Sequence, residues 1–187
     1  MAKEKMVTTR GIYVGILHPK SGKLLLVRRT GSTSIIPDVS FCGNWEIIGG
    51  AVMASDNKAV PYNYYLGELS RLMEAKAGIV MVILGLPAMH SVLFKGPNGY
   101  DEASVIPIVH DAKPTIGEML WVSPHELQIL TDEFEPVDEK TGKSGKGLLS
   151  GYGKRMHCMA LAALSHSPNY DFSIEAMRML REIIPIP

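Results

Sequence analysis

Between Trp45 and Ile79 the chain carries residues suited to a phosphorylated ligand: the pair Gly49-Gly50, then Glu68, Arg71 and Lys76. Adjacent glycines let a backbone turn or approach a bound group closely. Arginine and lysine donate charge-assisted hydrogen bonds to phosphate oxygens. Arg28 and Arg29 add two cations upstream; on a strand they point to opposite faces, so one can enter a cleft while the other lines a sheet edge. Three other motifs carry nothing. His125-Glu126 is followed by Ile129 where a zinc-protease helix needs a second histidine. Gly142-Lys-Ser-Gly-Lys-Gly147 lacks the ending of a phosphate loop and reads as a solvated loop. The six histidines have no metal-ligand spacing.

Trp45-Glu46-Ile47-Ile48-Gly49-Gly50-Ala51-Val52, then a loop, then Arg71-Leu72-Met73-Glu74-Ala75-Lys76-Ala77-Gly78-Ile79, resembles the signature box of the Nudix hydrolases. That box reads Gly, five residues, Glu, seven residues, then Arg-Glu-apolar-x-Glu-Glu-x-Gly-apolar. Gly50, Arg71, Met73, Gly78 and Ile79 match it. The segment Leu24 to Arg29 upstream, and Glu118 to Trp121 leading into Ser123-Pro-His-Glu-Leu127, suit the family's surroundings, so the resemblance covers residues 8–135. It implies an α/β/α sandwich with a mixed sheet and C-terminal helices. It also implies Mg²⁺-dependent hydrolysis of nucleoside diphosphate-linked compounds, with Mg²⁺ required only if catalysis survives and no cofactor otherwise.

The departures from the box bear on that chemistry. Gly50 and Arg71 stand 21 positions apart, seven more than the box allows. The three glutamates after the arginine fall on Leu72, Ala75 and Lys76; Asn63 takes the loop glutamate's place, and Ile48 stands where a proline is common. Hydrolysis of a diphosphate needs a divalent ion to screen the polyanion and activate water, and Mg²⁺ is held chiefly by carboxylates and the substrate's own phosphates. Positions 72, 75 and 76 share a helix face. Here that face offers an isobutyl, a methyl and an ammonium.

Other carboxylates are candidates for the missing role. Glu68, one turn before Leu72 on the same face, is the metal candidate, and with Glu102 and Glu118 it makes the set of catalytic candidates. Asp56 and Asp101 could also swing in; Glu74 points elsewhere. Without the box glutamates, Arg71 is left to Glu68, Glu74 or a phosphate. A buried lone ammonium is costly, so Lys76 should meet Glu68, Glu118 or a ligand phosphate. The ligand-binding set is therefore Arg28, Arg29, Gly49, Gly50, Arg71 and Lys76.

Positioning these residues falls to recognisable elements. Gly11 to Leu17 and Lys23 to Arg29 read as strands around the turn His18-Pro-Lys-Ser-Gly22, and Trp45 to Val52 as a third. Pro61 to Ala77 has an apolar stripe of Tyr62, Leu66, Leu69, Met73 and Ala77, with Gly78 as its C-terminal cap. Ile79 to Leu86, Ser91 to Phe94, Ala103 to His110 and Glu118 to Val122 are strand candidates. Ser123-Pro124-His125-Glu126 carries a capping box. Residues 136–153 are expected to form a mobile loop. Arg155 to Leu164 and Ser173 to Ile184, within a C-terminal extension over 154–187, are expected to be helices. Their apolar stripes suit core packing or a homodimer.

With 187 residues, 46% hydrophobic and 20% charged, the chain fits one domain over 1–187 rather than a disordered segment. Nineteen basic and nineteen acidic residues cancel, which argues against a nucleic acid partner. Cys42 and Cys158 are too few and too far apart for a disulfide scaffold or zinc finger. The longest stretch without a charged or strongly polar residue, Ala77 to Met89, is too short to span a bilayer, and Met1 to Arg10 has no signal-peptide core. A cytoplasmic protein with a nucleotide-type small-molecule partner is expected. Three functional readings stay open. The first is a binder of a nucleoside diphosphate derivative with weak or lost hydrolase activity. The second is an active Mg²⁺-dependent Nudix hydrolase with relocated carboxylates, and the third a structural or RNA-binding subunit.

Overall fold

The computed structural model describes residues 7–30, 41–52, 62–81, 89–96, 99–138, 140–148 and 155–184. Strands β1 (Val7–Leu17), β2 (Leu24–Arg28), β3 (Trp45–Glu46) and β4 (Ile48–Val52) precede helix α1 (Tyr62–Ala77). Then come β5 (His90–Gly96), β6 (Gly99–Val109), β7 (Met119–Val122), α2 (Pro124–Asp132), α3 (Arg155–Leu164) and α4 (Tyr170–Ile183). The strands form one mixed sheet in the order β3-β2-β1-β6-β5, with β4 also on β1 and β7 on β2. Among the described residues, β1 and β6 pair in parallel and the other pairings between named strands are antiparallel.

Two cores explain the three layers. Ile12, Val14, Ile16, Leu25, Val27 and Ile48 face α1, where Leu69, Leu72, Met73 and Ala77 cover them. On the opposite side Leu17, Leu24, Leu26, Ala103 and Val105 meet α3 through Met159, Leu161, Ala163 and their neighbours. Residues 12–17 of β1 and 24–27 of β2 contribute to both cores, which is why these stretches read as nearly unbroken apolar runs rather than alternating ones. Burying each large aliphatic side chain stabilises the fold by about 1.5–3 kcal/mol. Gly15 lets α3 close in, since a Cβ there would lie 2.2 Å from the Ala163 methyl carbon. The expected α/β sandwich with a mixed sheet and C-terminal helices is observed.

Local signals act as their chemistry dictates. Ser123 caps α2, its hydroxyl accepting from the Glu126 amide while the Glu126 carboxylate accepts from the Ser123 amide at 2.7 Å. That amide, aided by Lys23, holds Glu126 below the usual carboxylate range. Gly78 ends α1 at φ 63°, a conformation glycine adopts without strain. Helix α4 starts at Tyr170 instead of Ser173, because Asn169 accepts from the amides of Asp171 and Phe172.

Three expectations differ. Trp45 to Val52 is interrupted at Ile47, between β3 on β2 and β4 on β1. Of the expected strand Ile79 to Leu86, residues 79–81 are not strand, and 82–86 lie outside the described residues. Leaving Gly78, Ile79 tucks into the core beneath α1 and Met81 packs against it while Val80 is exposed. The segment expected as a loop after Glu135 is partly paired, with bridges Glu135–Lys146 and Asp138–Lys143, and Leu148 joined to Trp45. The Asn44 amide donates to the carbonyls of Glu135 and Lys146, fastening this segment behind β3.

His90 on β5 and His166 in the turn after α3 place their Nε2 atoms 2.5 Å apart. Burial, and then the charge of His166, lowers the His90 pKa. An imidazole whose pKa is lowered by folding takes up a proton more readily when unfolded. Stability is therefore present above the unfolded value of about 6.5 and lost as pH falls below it. Thermal melting from about pH 7 down to about pH 5 should show Tm falling, and His90→Gln should shallow that fall. An unchanged slope in the variant would remove His90 as its cause.

Candidate functional site

The site lies where β2, β3 and the last turn of α1 meet. Val27 pairs with Glu46 across the β2–β3 ladder, and Val27 belongs to the core beneath α1. Strand alternation therefore puts Glu46 and Arg29 on the α1 face and Arg28 and Trp45 on the other. Helix α1 is anchored over this face by fully buried Leu69 and Met73. Lys76 follows Met73 by three residues and so reaches down from the helix edge.

These placements bring together a buried ionic triad. Glu46 is 4% exposed. Its Oε1 accepts from Lys76 Nζ at 2.6 Å, and its Oε2 from Arg29 Nη1 at 3.1 Å. The side chains of Lys76 and Arg29 retain 28% and 19% exposure, so both cations stand between the carboxylate and solvent. The Nε of Arg29 is buried and makes no hydrogen bond among the described residues. A buried carboxylate is tolerated only when paired; two cations on one carboxylate leave an excess positive charge at the mouth of the site.

The sequence reading missed Glu46. It expected Lys76 to pair with Glu68 or Glu118, and the structure corrects this, because both of those carboxylates have other cations. Arg71 binds Glu68 through Nε at 2.9 Å and Nη2 at 2.5 Å, one turn back along α1. That arginine holds the Glu68 carboxyl below its ordinary pKa. Glu118 is exposed and accepts from Arg28 Nη1 at 2.8 Å, while Arg28 Nε donates to the Gly43 carbonyl. A signal for Glu46 existed: it is the lone charge in the run Trp45 to Val52, on a segment read as a strand.

The remaining candidates are placed by register. Gly50 lies opposite Ile12 and its Cα faces Leu72; an added Cβ would stand 3.5 Å from the Leu72 side chain. Gly49 lies opposite Tyr13, where an added Cβ would come within 2.4 Å of the Ile12 carbonyl oxygen, so close strand packing alone accounts for it. Glu102 pairs with Arg10, two positions along β1 from Ile12, which sets it about 7 Å beyond the Gly50 level. It shares the α1 face with Ile106 but is not in the triad. Leu72 is buried, and Ala75 is exposed. Asp56 and the Asp101 side chain lie outside the described residues.

This donor set does not fit Mg²⁺. Among the described residues no group of three or more His, Cys, Asp or Glu is arranged to hold a metal ion. The carboxylates of Glu46, Glu68 and Glu118 are each bonded to cations. A divalent ion at Glu46 would meet Lys76 and Arg29 at close range. The arrangement is suited instead to an anion.

Among the described residues no helix is long and apolar enough to cross a membrane. No family model and no curated protein matches the chain. Solved structures do. The Nudix hydrolase RenU from M. smegmatis is 15% identical over 97% of this chain and 91% of its own, with a TM-score of 0.47. A MutT protein from Methanosarcina mazei Go1 is 24% identical over 66% of this chain and 82% of its own, with a TM-score of 0.42. The Nudix domain of Shewanella oneidensis NrtR, complexed with ADP ribose, is 12% identical over 69% of this chain and 81% of its own, also at 0.42. Each of these is a solved structure to which this chain is similar.

Proposed function

We propose that the protein binds a nucleoside diphosphate derivative at the mouth of the Arg29–Glu46–Lys76 triad and hydrolyses it weakly or not at all. The Nudix-like arrangement of strands and helix around Gly50 and Arg71 supports the ligand class. One observation carries the loss of hydrolysis: Lys76, at a box-glutamate position, is an ammonium bonded to Glu46 at 2.6 Å. Two cations occupy the only deeply buried carboxylate of the described residues, and their charge opposes a divalent ion beside it.

The rival reading is an active hydrolase using Glu68, Glu102 or Glu118. Arg71 and Arg28 engage two of these, which weighs against it. Turnover of ADP-ribose, dinucleoside polyphosphates and nucleoside triphosphates with Mg²⁺ should be near background when released phosphate and monophosphate are followed. A rate on the order of 1 s⁻¹ or more, abolished by EDTA, would sink the proposal. If that rate were also lost in Glu68→Gln, the relocated site would be identified.

A further inference from the structure

The triad also determines how a diphosphate would be held. We infer that Lys76 is a built-in replacement for the divalent ion, so that Lys76 and Arg29 together form a clamp for diphosphate that works without metal. The inference rests on the nucleotide-binding reading above and specifies the chemistry of that same site.

Three observations carry it. First, the two cations are held in a fixed relation by the same carboxylate, one on each oxygen of Glu46. Second, neither cation is used up: Lys76 spends one of its three ammonium donors on Glu46 and Arg29 one of its five guanidinium donors, and both side chains stay partly exposed. Third, Glu46, Glu68 and Glu118 are already bonded to cations, and among the described residues no group of three acidic, histidine or cysteine side chains is arranged to hold a metal ion.

The clamp and a metal site differ in what they need. A metal-dependent site binds the diphosphate through the ion, so chelation abolishes affinity. The clamp binds the free diphosphate directly, and Mg²⁺ in solution would compete by capping the same oxygens. Arginine and lysine each add charge-assisted hydrogen bonds, and only the guanidinium offers a fork to two oxygens. Glu46 keeps the two cations apart and oriented; it is a positioning residue.

The test is calorimetry on the full chain with ADP and with inorganic pyrophosphate, each in EDTA and in excess Mg²⁺. The clamp predicts binding in EDTA that is equal to or tighter than in Mg²⁺. It further predicts a loss of about tenfold or more in Lys76→Gln, since a charged hydrogen bond is worth that much. Lys76→Arg should recover most of the affinity, which guards against a Gln variant that merely misfolds. Electron paramagnetic resonance of Mn²⁺ added to the free protein should show no bound ion. Binding that appears only with Mg²⁺, or full affinity in Lys76→Gln, overturns the clamp and leaves nucleotide binding standing. No binding of either probe under any condition overturns the nucleotide reading and the clamp with it.

Discussion

Glu46→Gln should destabilise the protein by about 2–4 kcal/mol, measured as a lower midpoint in urea with an unchanged slope. Removing one member of a buried ion pair typically costs about 3–5 kcal/mol, because the surviving charge is left without its partner. Here two cations survive. Both keep partial exposure and can turn toward water, which reduces the figure. Lys76→Met should cost much less, about 1 kcal/mol or below, since Glu46 would still hold Arg29 and a methionine stem replaces the lysine stem. The asymmetry is the content of the prediction. If Glu46→Gln cost no more than Lys76→Met, the carboxylate would not be the organising charge of the cluster.

Gly49→Ala should cost about 3 kcal/mol or more, and Gly50→Ala less than about 1 kcal/mol. At Gly49 the new methyl carbon would lie 2.4 Å from the Ile12 carbonyl oxygen and 2.8 Å from the Tyr13 Cα. Backbone atoms of a central strand cannot yield without breaking the β1–β4 ladder, so the clash is settled by losing register. At Gly50 the nearest atoms are side-chain methyls of Leu72 at 3.5 and 3.6 Å, an ordinary contact. Circular dichroism melts of both variants separate the two glycines. If Gly50→Ala keeps its Tm yet loses ADP affinity, Gly50 serves a ligand approaching the backbone; equal destabilisation in both variants would refute the packing argument.

The elements were largely readable because their signals are local. The capping box at Ser123 and Glu126, the glycine after Ala77 and the stripe Leu69-Met73-Ala77 are each set by residues within a few positions of one another, and each appears as expected. Ile79 to Met81 misled because a short apolar run reads alike as a strand or as a plug in the core. The site was legible as a place and not as a set of partners. Arg71 has two glutamates within a turn of it, and it meets Glu68 as the helical spacing allows. Lys76 meets a residue thirty positions away, through a two-residue strand whose register only the folded sheet defines. Helical spacing has no access to that contact. It therefore supplied Glu68 as partner, a residue with a nearer cation of its own.

The parallel pairing of β1 with β6 also sets the order in which the chain can be completed. Val7 is paired with Tyr100 and Leu17 with Val109, so β1 has no partner on that side until about 90 further residues have been made. Closing so long a loop is entropically slow, and contacts of this separation are associated with folding in milliseconds to seconds rather than microseconds. While the ribosome is still making the middle of the chain, the apolar stretch from Ile12 to Leu17 lacks the strand that covers one of its edges. Antiparallel β2 and β4 can shield only the opposite edge. The nascent chain therefore passes through a stage with an open sheet edge, the form of intermediate from which aggregation starts and on which chaperones act.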